Sequence, residues 1–97
     1  MLERQITDKI LNYLKTVNNS YFWKQVGGLR GVAGLPDIIC CVKGLFVAFE
    51  VKQPGKKLTK LQEITIKQIN DAGGAAFRVE SLEDVKDVIK LLEAMPK

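Results

Sequence analysis

Two apolar runs separated by a Lys-Gly pair constrain the fold of this chain more than any other feature. Residues 36–52 read PDIICCVKGLFVAFEVK, and the pair is Lys43-Gly44. Two such residues between strand-like runs are typical of a tight β-hairpin. The sequence therefore predicts antiparallel strands over residues 37–42 and 45–52.

The hairpin sets a register that opposes two carboxylates. If the Lys-Gly pair forms the whole loop, Val42 pairs with Leu45, and counting outward pairs Asp37 with Glu50. Directly opposed residues share one face of the ribbon, with Cβ atoms about 4.5–5.5 Å apart. Two carboxylates at that separation repel each other, and a divalent cation between them reverses the sign of the interaction. Because Lys52 lies two residues beyond Glu50, it shares that face, and the pattern predicts two carboxylates, an ammonium and space for a metal ion.

This set of groups suits metal-assisted hydrolysis of a phosphodiester. Carboxylates hold Mg²⁺, the metal polarises a phosphoryl oxygen and lowers the pKa of bound water, and a lysine steadies the nucleophile or the developing charge. The alternative is a structural hairpin in which Asp37 only starts a strand and the end that carries Glu50 and Lys52 is solvated. Both interpretations are open at this point.

Composition narrows the possible chemistry. The 97 residues contain no histidine, which excludes Ser-His and Cys-His nucleophilic mechanisms and histidine-ligated zinc. A metal would meet carboxylates and carbonyls, which suit Mg²⁺ or Mn²⁺. The adjacent Cys40 and Cys41 would point to opposite faces of a strand, so we expect both to pack as small hydrophobes rather than to share a zinc ion. The net charge of +4 favours an anionic partner.

Length and hydropathy predict a single globular domain over residues 1–97. No apolar run is long enough to span a bilayer, and the N-terminal sequence MLERQITDKI lacks the pattern of a secretory leader. We therefore expect no membrane association and a cytoplasmic location, in a bacterium or a phage-infected host cell.

The remaining elements follow from apolar periodicity and turn residues. The predicted order is α-β-β-β-α-β-α, with a helix over 2–17, a strand over 21–26, the two hairpin strands, a helix over 59–72, a strand over 75–79 and a last helix that opens at Ser81. The glycine-rich stretch GGLRGVAG, residues 27–34, predicts a mobile loop.

Three short motifs in this sequence resemble a known family. GLPD at 34–37, FEVK at 49–52 and KLTKLQ at 57–62 are similar to motifs of the PD-(D/E)xK nuclease superfamily and, within it, of the VRR-NUC domain. The resemblance extends from Glu3 to about Val88. It implies an α/β restriction-endonuclease-like fold, with a central mixed β-sheet flanked by helices and the metal site at one end of the hairpin.

The resemblance also implies roles for individual residues. Asp37 and Glu50 would ligate Mg²⁺ or Mn²⁺, with help from the backbone carbonyl of Val51. Lys52 would act on the attacking water, and Gln62 would support the site from the following helix. The alternative role for Gln62 is structural, as the capping-box partner of a threonine three residues earlier.

Glu3 resembles the first-helix glutamate that related junction-resolving nucleases add to their metal site. It lies on one helical stripe with Ile6 and Ile10, so we expect its carboxylate to face inward. The alternative is a first-turn glutamate favoured by the helix dipole.

Basic and aromatic residues supply candidates for DNA contacts. A basic cluster follows the third strand, and two further basic residues lie near the glycine-rich stretch. Positive charge at the mouth of such a site would bind backbone phosphates without reading sequence. These candidates are Lys24, Arg30, Lys56, Lys57 and Lys60. The aromatic residues 21–23 could stack on bases, but burial in the core or at a subunit interface is the preferred interpretation.

The resemblance implies an Mg²⁺- or Mn²⁺-dependent DNA endonuclease. Free-standing members of the VRR-NUC group resemble Holliday junction resolvases, which act as homodimers on branched DNA, and we expect the same here. Two alternatives stay open: a less selective or flap-directed nuclease with the same site, and a non-catalytic DNA-binding protein that keeps the fold.

Overall fold

A computed structural model describes residues 1–26 and 33–96 of the chain. The elements occur in the predicted order α-β-β-β-α-β-α. They are α1 (Glu3–Leu14), β1 (Ser20–Lys24), β2 (Ile38–Val42), β3 (Leu45–Val51), α2 (Lys60–Asp71), β4 (Ala75–Val79) and α3 (Leu82–Ala94). Among the described residues no helix is both long and apolar enough to cross a membrane.

The four strands form one mixed sheet in the order β1-β2-β3-β4. The first three strands are antiparallel to their neighbours, and β4 runs parallel to β3. Helix α2 makes the crossover between these two parallel strands, as a parallel connection requires. The predicted mixed α/β sheet is confirmed.

The hairpin has the predicted loop and the predicted register. Lys43 and Gly44 both adopt positive φ, 51° and 83°, which is the backbone of a two-residue turn that matches strand twist. Val42 pairs with Leu45, and the ladder continues to the pair Ile38 and Phe49. The next residues outward are Asp37 and Glu50. The predicted register, in which these two residues lie opposite each other, is therefore correct.

Helices cover the two faces of the sheet unequally. On one face α1 and α3 pack against the strands, and the buried cluster there includes Ile10, Phe49 and Ile89. On the other face Ile66 and Ile69 of α2 pack over a smaller cluster, which consists of Ile39, Ala48 and Ala76. Every second residue of each strand points to this face, and α2 packs chiefly over β4. The part of this face over β1 and over the hairpin end of β2 is therefore open.

The open area explains two departures from the sequence predictions. Cys40 is buried as expected, but Cys41 faces the open area and is exposed. On β1, Phe22 packs against the larger core, whereas Tyr21 and Trp23 are 71% and 45% exposed. The expectation that Cys41 would be packed was therefore wrong. The rings of Tyr21 and Trp23 are not in the core of the chain, because α2 does not extend across β1, and their burial at a subunit interface stays a prediction.

Element ends differ slightly from the predicted ones. Helix α1 ends at Leu14 rather than at Val17, because Thr16 and Val17 donate backbone N–H groups to carbonyls three residues earlier and turn the chain out of the helix. The other helix boundaries agree to within one residue, with Thr59 and Ser81 as N-caps. Most of the predicted glycine-rich loop, residues 27–32, lies outside the described residues.

Candidate active site

A polar rung crosses the α2-facing side of the sheet at one end. The backbone N–H of Gln25 donates to the carbonyl of Asp37 at 2.7 Å, so these two residues are directly opposed across β1 and β2. Asp37 opposes Glu50 through the hairpin register, and Glu50 pairs with Arg78 on β4. One rung of the sheet thus carries Gln25, Asp37, Glu50 and Arg78. The next rung on the same face toward the hairpin turn is apolar and consists of Trp23, Ile39, Ala48 and Ala76.

The two carboxyl groups are in direct contact. The Glu50 carboxyl lies within hydrogen-bonding distance of the Asp37 carboxylate, and Glu50 is only 3% exposed. Burial first, then the hydrogen bond and the negative charge of Asp37, raise the pKa of Glu50 from its ordinary 4.5 to about 9. Without a cation between the groups, Glu50 is therefore neutral near pH 7.

The Asp37 side chain also fixes the backbone of the neighbouring strand. Its Oδ2 accepts a hydrogen bond from the Val51 N–H at 2.8 Å. This bond fixes the position of the Val51 peptide beside the carboxyl pair. Val51, whose carbonyl is the predicted third metal ligand, is therefore adjacent to Asp37 as well as to Glu50.

Lys52 and Glu3 act on the pair through their charges. The Lys52 ammonium lowers the pKa of Glu50, and the Glu3 carboxylate raises it. Glu3 comes near because Gln53 donates its side-chain amide to the Met1 carbonyl at 3.2 Å, which holds the start of α1 beside the end of β3. Glu3 itself is exposed, but its charge reaches the site, and its role as a metal ligand stays a prediction.

The donor set fits a hard divalent cation. Two ionised carboxylates this close would repel each other, and a divalent cation between them would replace the proton of Glu50 and offset that repulsion. Within residues 1–26 and 33–96, no three Asp, Glu or Cys side chains form a common metal cluster. The protein would therefore supply two carboxylates and a backbone carbonyl, leaving the other positions to water and substrate, as Mg²⁺ prefers.

Gln62 has a structural role in the described chain. Its Oε1 accepts from the Thr59 N–H at 2.9 Å, and its own N–H donates to the Thr59 hydroxyl at 3.2 Å. These two bonds form the capping box that begins α2. The cap occupies the side-chain oxygen, so any action of Gln62 toward the site would come from its amide nitrogen.

The predicted DNA-contacting basic residues occupy different places. Lys56, Lys57 and Lys60 are exposed around the turn between β3 and α2. Two of them line a surface pocket of about 400 Å³ that also contains Glu63 and Glu80. Lys24 pairs with Ile38 and faces the α1 side of the sheet, so the structure does not bring it together with the carboxyl pair. Arg30 lies outside the described residues.

Arg78 is a residue of the polar rung that sequence reasoning missed. Its guanidinium donates to the Lys56 carbonyl at 2.6 Å and to the Gln53 carbonyl at 3.4 Å, and it forms an ion pair with Glu80 at 3.0 Å. Arg78 thus holds the turn that follows Lys52 against β4. Its position beside Glu50 comes from the parallel pairing of β3 with β4, which no local motif reveals.

The fold matches that of a solved structure. A structure titled "VRR_NUC domain" superposes with a TM-score of 0.73 and 21% sequence identity, over 97% of both chains. No family model matches the sequence, and no curated protein matches it. The chain therefore has the fold of a VRR-NUC domain, as the sequence resemblance implied.

Proposed function

We propose that this chain is a metal-dependent DNA endonuclease that hydrolyses phosphodiester bonds at the polar rung. The observation that carries the proposal is the contact between the Asp37 and Glu50 carboxyl groups, with Lys52 close enough to act on their charge. A buried acidic pair costs stability in a structural hairpin, whereas it is what a hard cation requires. The similarity of fold to a VRR-NUC domain supports the same reaction class.

Asp37, Glu50 and the Val51 carbonyl would hold the Mg²⁺ or Mn²⁺ ion. When bound, the ion supplies positive charge that polarises the phosphoryl oxygen and lowers the pKa of a coordinated water. Glu50 must first release its proton, which the Lys52 ammonium favours. Lys52 can also donate hydrogen bonds to the attacking water or to a phosphate oxygen whose negative charge grows during attack.

The test is cleavage of labelled DNA with and without Mg²⁺ or Mn²⁺. We expect Lys52→Ala and Asp37→Asn to lower the cleavage rate by about 100-fold or more, the usual cost of losing one electrostatic contact to the transition state. Lys90→Ala and Asp87→Asn are the matched controls, because both residues are exposed on α3 and should leave the rate unchanged. Cleavage that survives Lys52→Ala would indicate a contaminating nuclease and would refute the proposal.

The proposal includes branched DNA as substrate and a homodimer as the active form, both on the basis of the family resemblance. Cleavage rates on four-way junctions, flaps and linear duplex of equal length test the preference for branched DNA. Sedimentation at several protein concentrations tests the homodimer. Equal rates on all three substrates would favour the less selective nuclease, and preference for flaps would favour the flap-directed one. Binding to junctions without cleavage under any divalent ion would favour the non-catalytic alternative.

A further inference from the structure

Two aromatic rings are exposed on the same sheet face as the candidate active site. Tyr21 and Trp23 pair with Cys41 and Ile39 across the β1–β2 ladder, and side chains two residues apart on a strand share a face. The face therefore carries Tyr21, then Trp23, then the polar rung. The rings are exposed because α2 lies over the opposite half of the sheet.

The Trp23 ring is attached to the polar rung by hydrogen bonds. Its indole N–H donates to the side-chain oxygen of Gln25 at 3.0 Å, and the Gln25 backbone N–H donates to the Asp37 carbonyl at 2.7 Å. Two consecutive bonds thus connect the ring to the residue that carries a candidate metal ligand. The indole N–H is satisfied, so the exposed part of Trp23 is its apolar ring.

The geometry of the two rings leaves each one available to a flat partner. Their centroids are 6.2 Å apart and their planes are inclined by 52°, so they do not stack on each other in parallel. A strand of DNA that reaches the carboxyl pair with its phosphate would place neighbouring bases over this part of the sheet. Bases in a duplex already stack on their neighbours, so only unpaired bases can use these rings.

We propose that Tyr21 and Trp23 form a stacking surface for unpaired bases of the DNA strand held at the polar rung. This inference rests on the proposed function, because the polar rung must bind a DNA phosphate for the bases to arrive there. Charge favours this partner as well as shape. The net charge of +4 and Lys52, two residues beyond the rung, attract the DNA backbone, while the rings accept the bases.

The test uses the protein's single tryptophan as a probe. The wild-type chain is titrated in EDTA, where no cleavage occurs, with a short single-stranded oligonucleotide and with a blunt duplex of the same length. We expect the single strand to quench Trp23 fluorescence and the blunt duplex to leave it nearly unchanged. Equal quenching by both, or no quenching by the single strand at saturation, would overturn the proposal.

Variants separate stacking from other roles of the surface. Trp23→Ala should weaken single-strand binding by about 5- to 150-fold, the factor that corresponds to loss of one stacked base, and Trp23→Phe should recover part of it. Leu91→Ala is the control, since Leu91 is 69% exposed on α3. Circular dichroism confirms that each variant is folded.

Two outcomes would contradict the stacking surface. If Trp23→Ala dissociates a dimer but keeps single-strand affinity, the rings form an interface between copies of the chain. If it changes neither property, the rings have no role in binding. Either result leaves the proposed nuclease activity intact, because the Lys52→Ala cleavage assay measures that separately.

Discussion

The Asp37–Glu50 contact gives the site an unusual protonation state. Glu50 is almost fully buried and lies against another carboxyl group, and both effects raise its pKa. The folded protein therefore keeps a proton on Glu50 that the unfolded chain releases between its ordinary pKa of 4.5 and the folded pKa of about 9. Because the folded state binds more protons in this window, stability must fall as the pH rises.

Replacing Glu50 with glutamine tests this protonation. Glu50→Gln mimics the neutral carboxyl, so in EDTA the variant should be more stable than the wild type, with a difference that grows above pH 4.5 and levels off near pH 9. The growth should be at most about 1.4 kcal/mol per pH unit. Urea unfolding at several pH values measures it.

Two comparisons complete this experiment. Glu93→Gln on α3 is the control, since Glu93 is exposed, and its stability should follow that of the wild type across the pH range. Mg²⁺ should stabilise the wild type but not Glu50→Gln, because the variant has lost a candidate ligand. A constant difference between Glu50→Gln and wild type from pH 5 to pH 9 would show that Glu50 is ionised in the folded protein.

At the scale of elements, the turn after β3 depends on β4 for its conformation. Arg78 donates to two carbonyls of this turn and pairs with Glu80. The same turn follows Lys52 and carries the exposed Lys56.

The loop before β2 comes close to α2 at Gly34. The φ angle of Gly34 is +84°, and a Cβ there would lie 2.6 Å from Leu61 of α2. A residue with a side chain there would be strained by the positive φ and would force the Leu61 side chain to shift.

Replacement of Arg78 should loosen the turn. Arg78→Gln should lower the free energy of unfolding by about 1–3 kcal/mol, because it removes charged hydrogen bonds to the turn. Arg78→Lys should recover little, since an ammonium lacks the planar fork that reaches two carbonyls. Urea unfolding measures both, with Arg4→Gln at an exposed position as the control. Full recovery by Arg78→Lys would show that only the charge matters.

At the scale of the whole molecule, the sheet separates two kinds of surface. The face under α1 and α3 carries the larger buried core, whereas α2 leaves part of the other face open. The exposed rings belong to that open part, and Gln25 and Asp37 of the polar rung lie at its end, whereas Glu50 of the same rung is buried. Exposed lysines follow β3 on the turn beside it, so a polyanion bound there would meet positive charge along one end of the sheet.

The lysines of the turn should determine the salt dependence of DNA binding. If Lys57 contacts a phosphate, Lys57→Ala should reduce the slope of log affinity against log salt by about 0.9 on duplex DNA. The effect should be the same for different sequences, because phosphate contacts carry no sequence information. Fluorescence anisotropy in EDTA at several salt concentrations measures the slope. An equal decrease for Lys90→Ala on α3 would mean that binding is not localised at the turn.

The sequence by itself determined the hairpin and the residues that face each other across it. A two-residue loop fixes the register, and strand alternation then fixes which side chains share a face. The opposition of Asp37 and Glu50, the caps of α2 and α3 and the buried stripe of α1 could all be predicted in this way. Each depends on neighbours along the chain or on a connection of two residues.

The tertiary structure alone decided how far α2 extends across the sheet and which strand lies beside β3. The exposure of Tyr21, Trp23 and Cys41 follows from the first, and the position of Arg78 beside Glu50 follows from the second. Both are set by packing between elements distant in sequence, for which local periodicity carries no information. The raised pKa of Glu50 has the same origin, because it needs the burial that the assembled sheet provides.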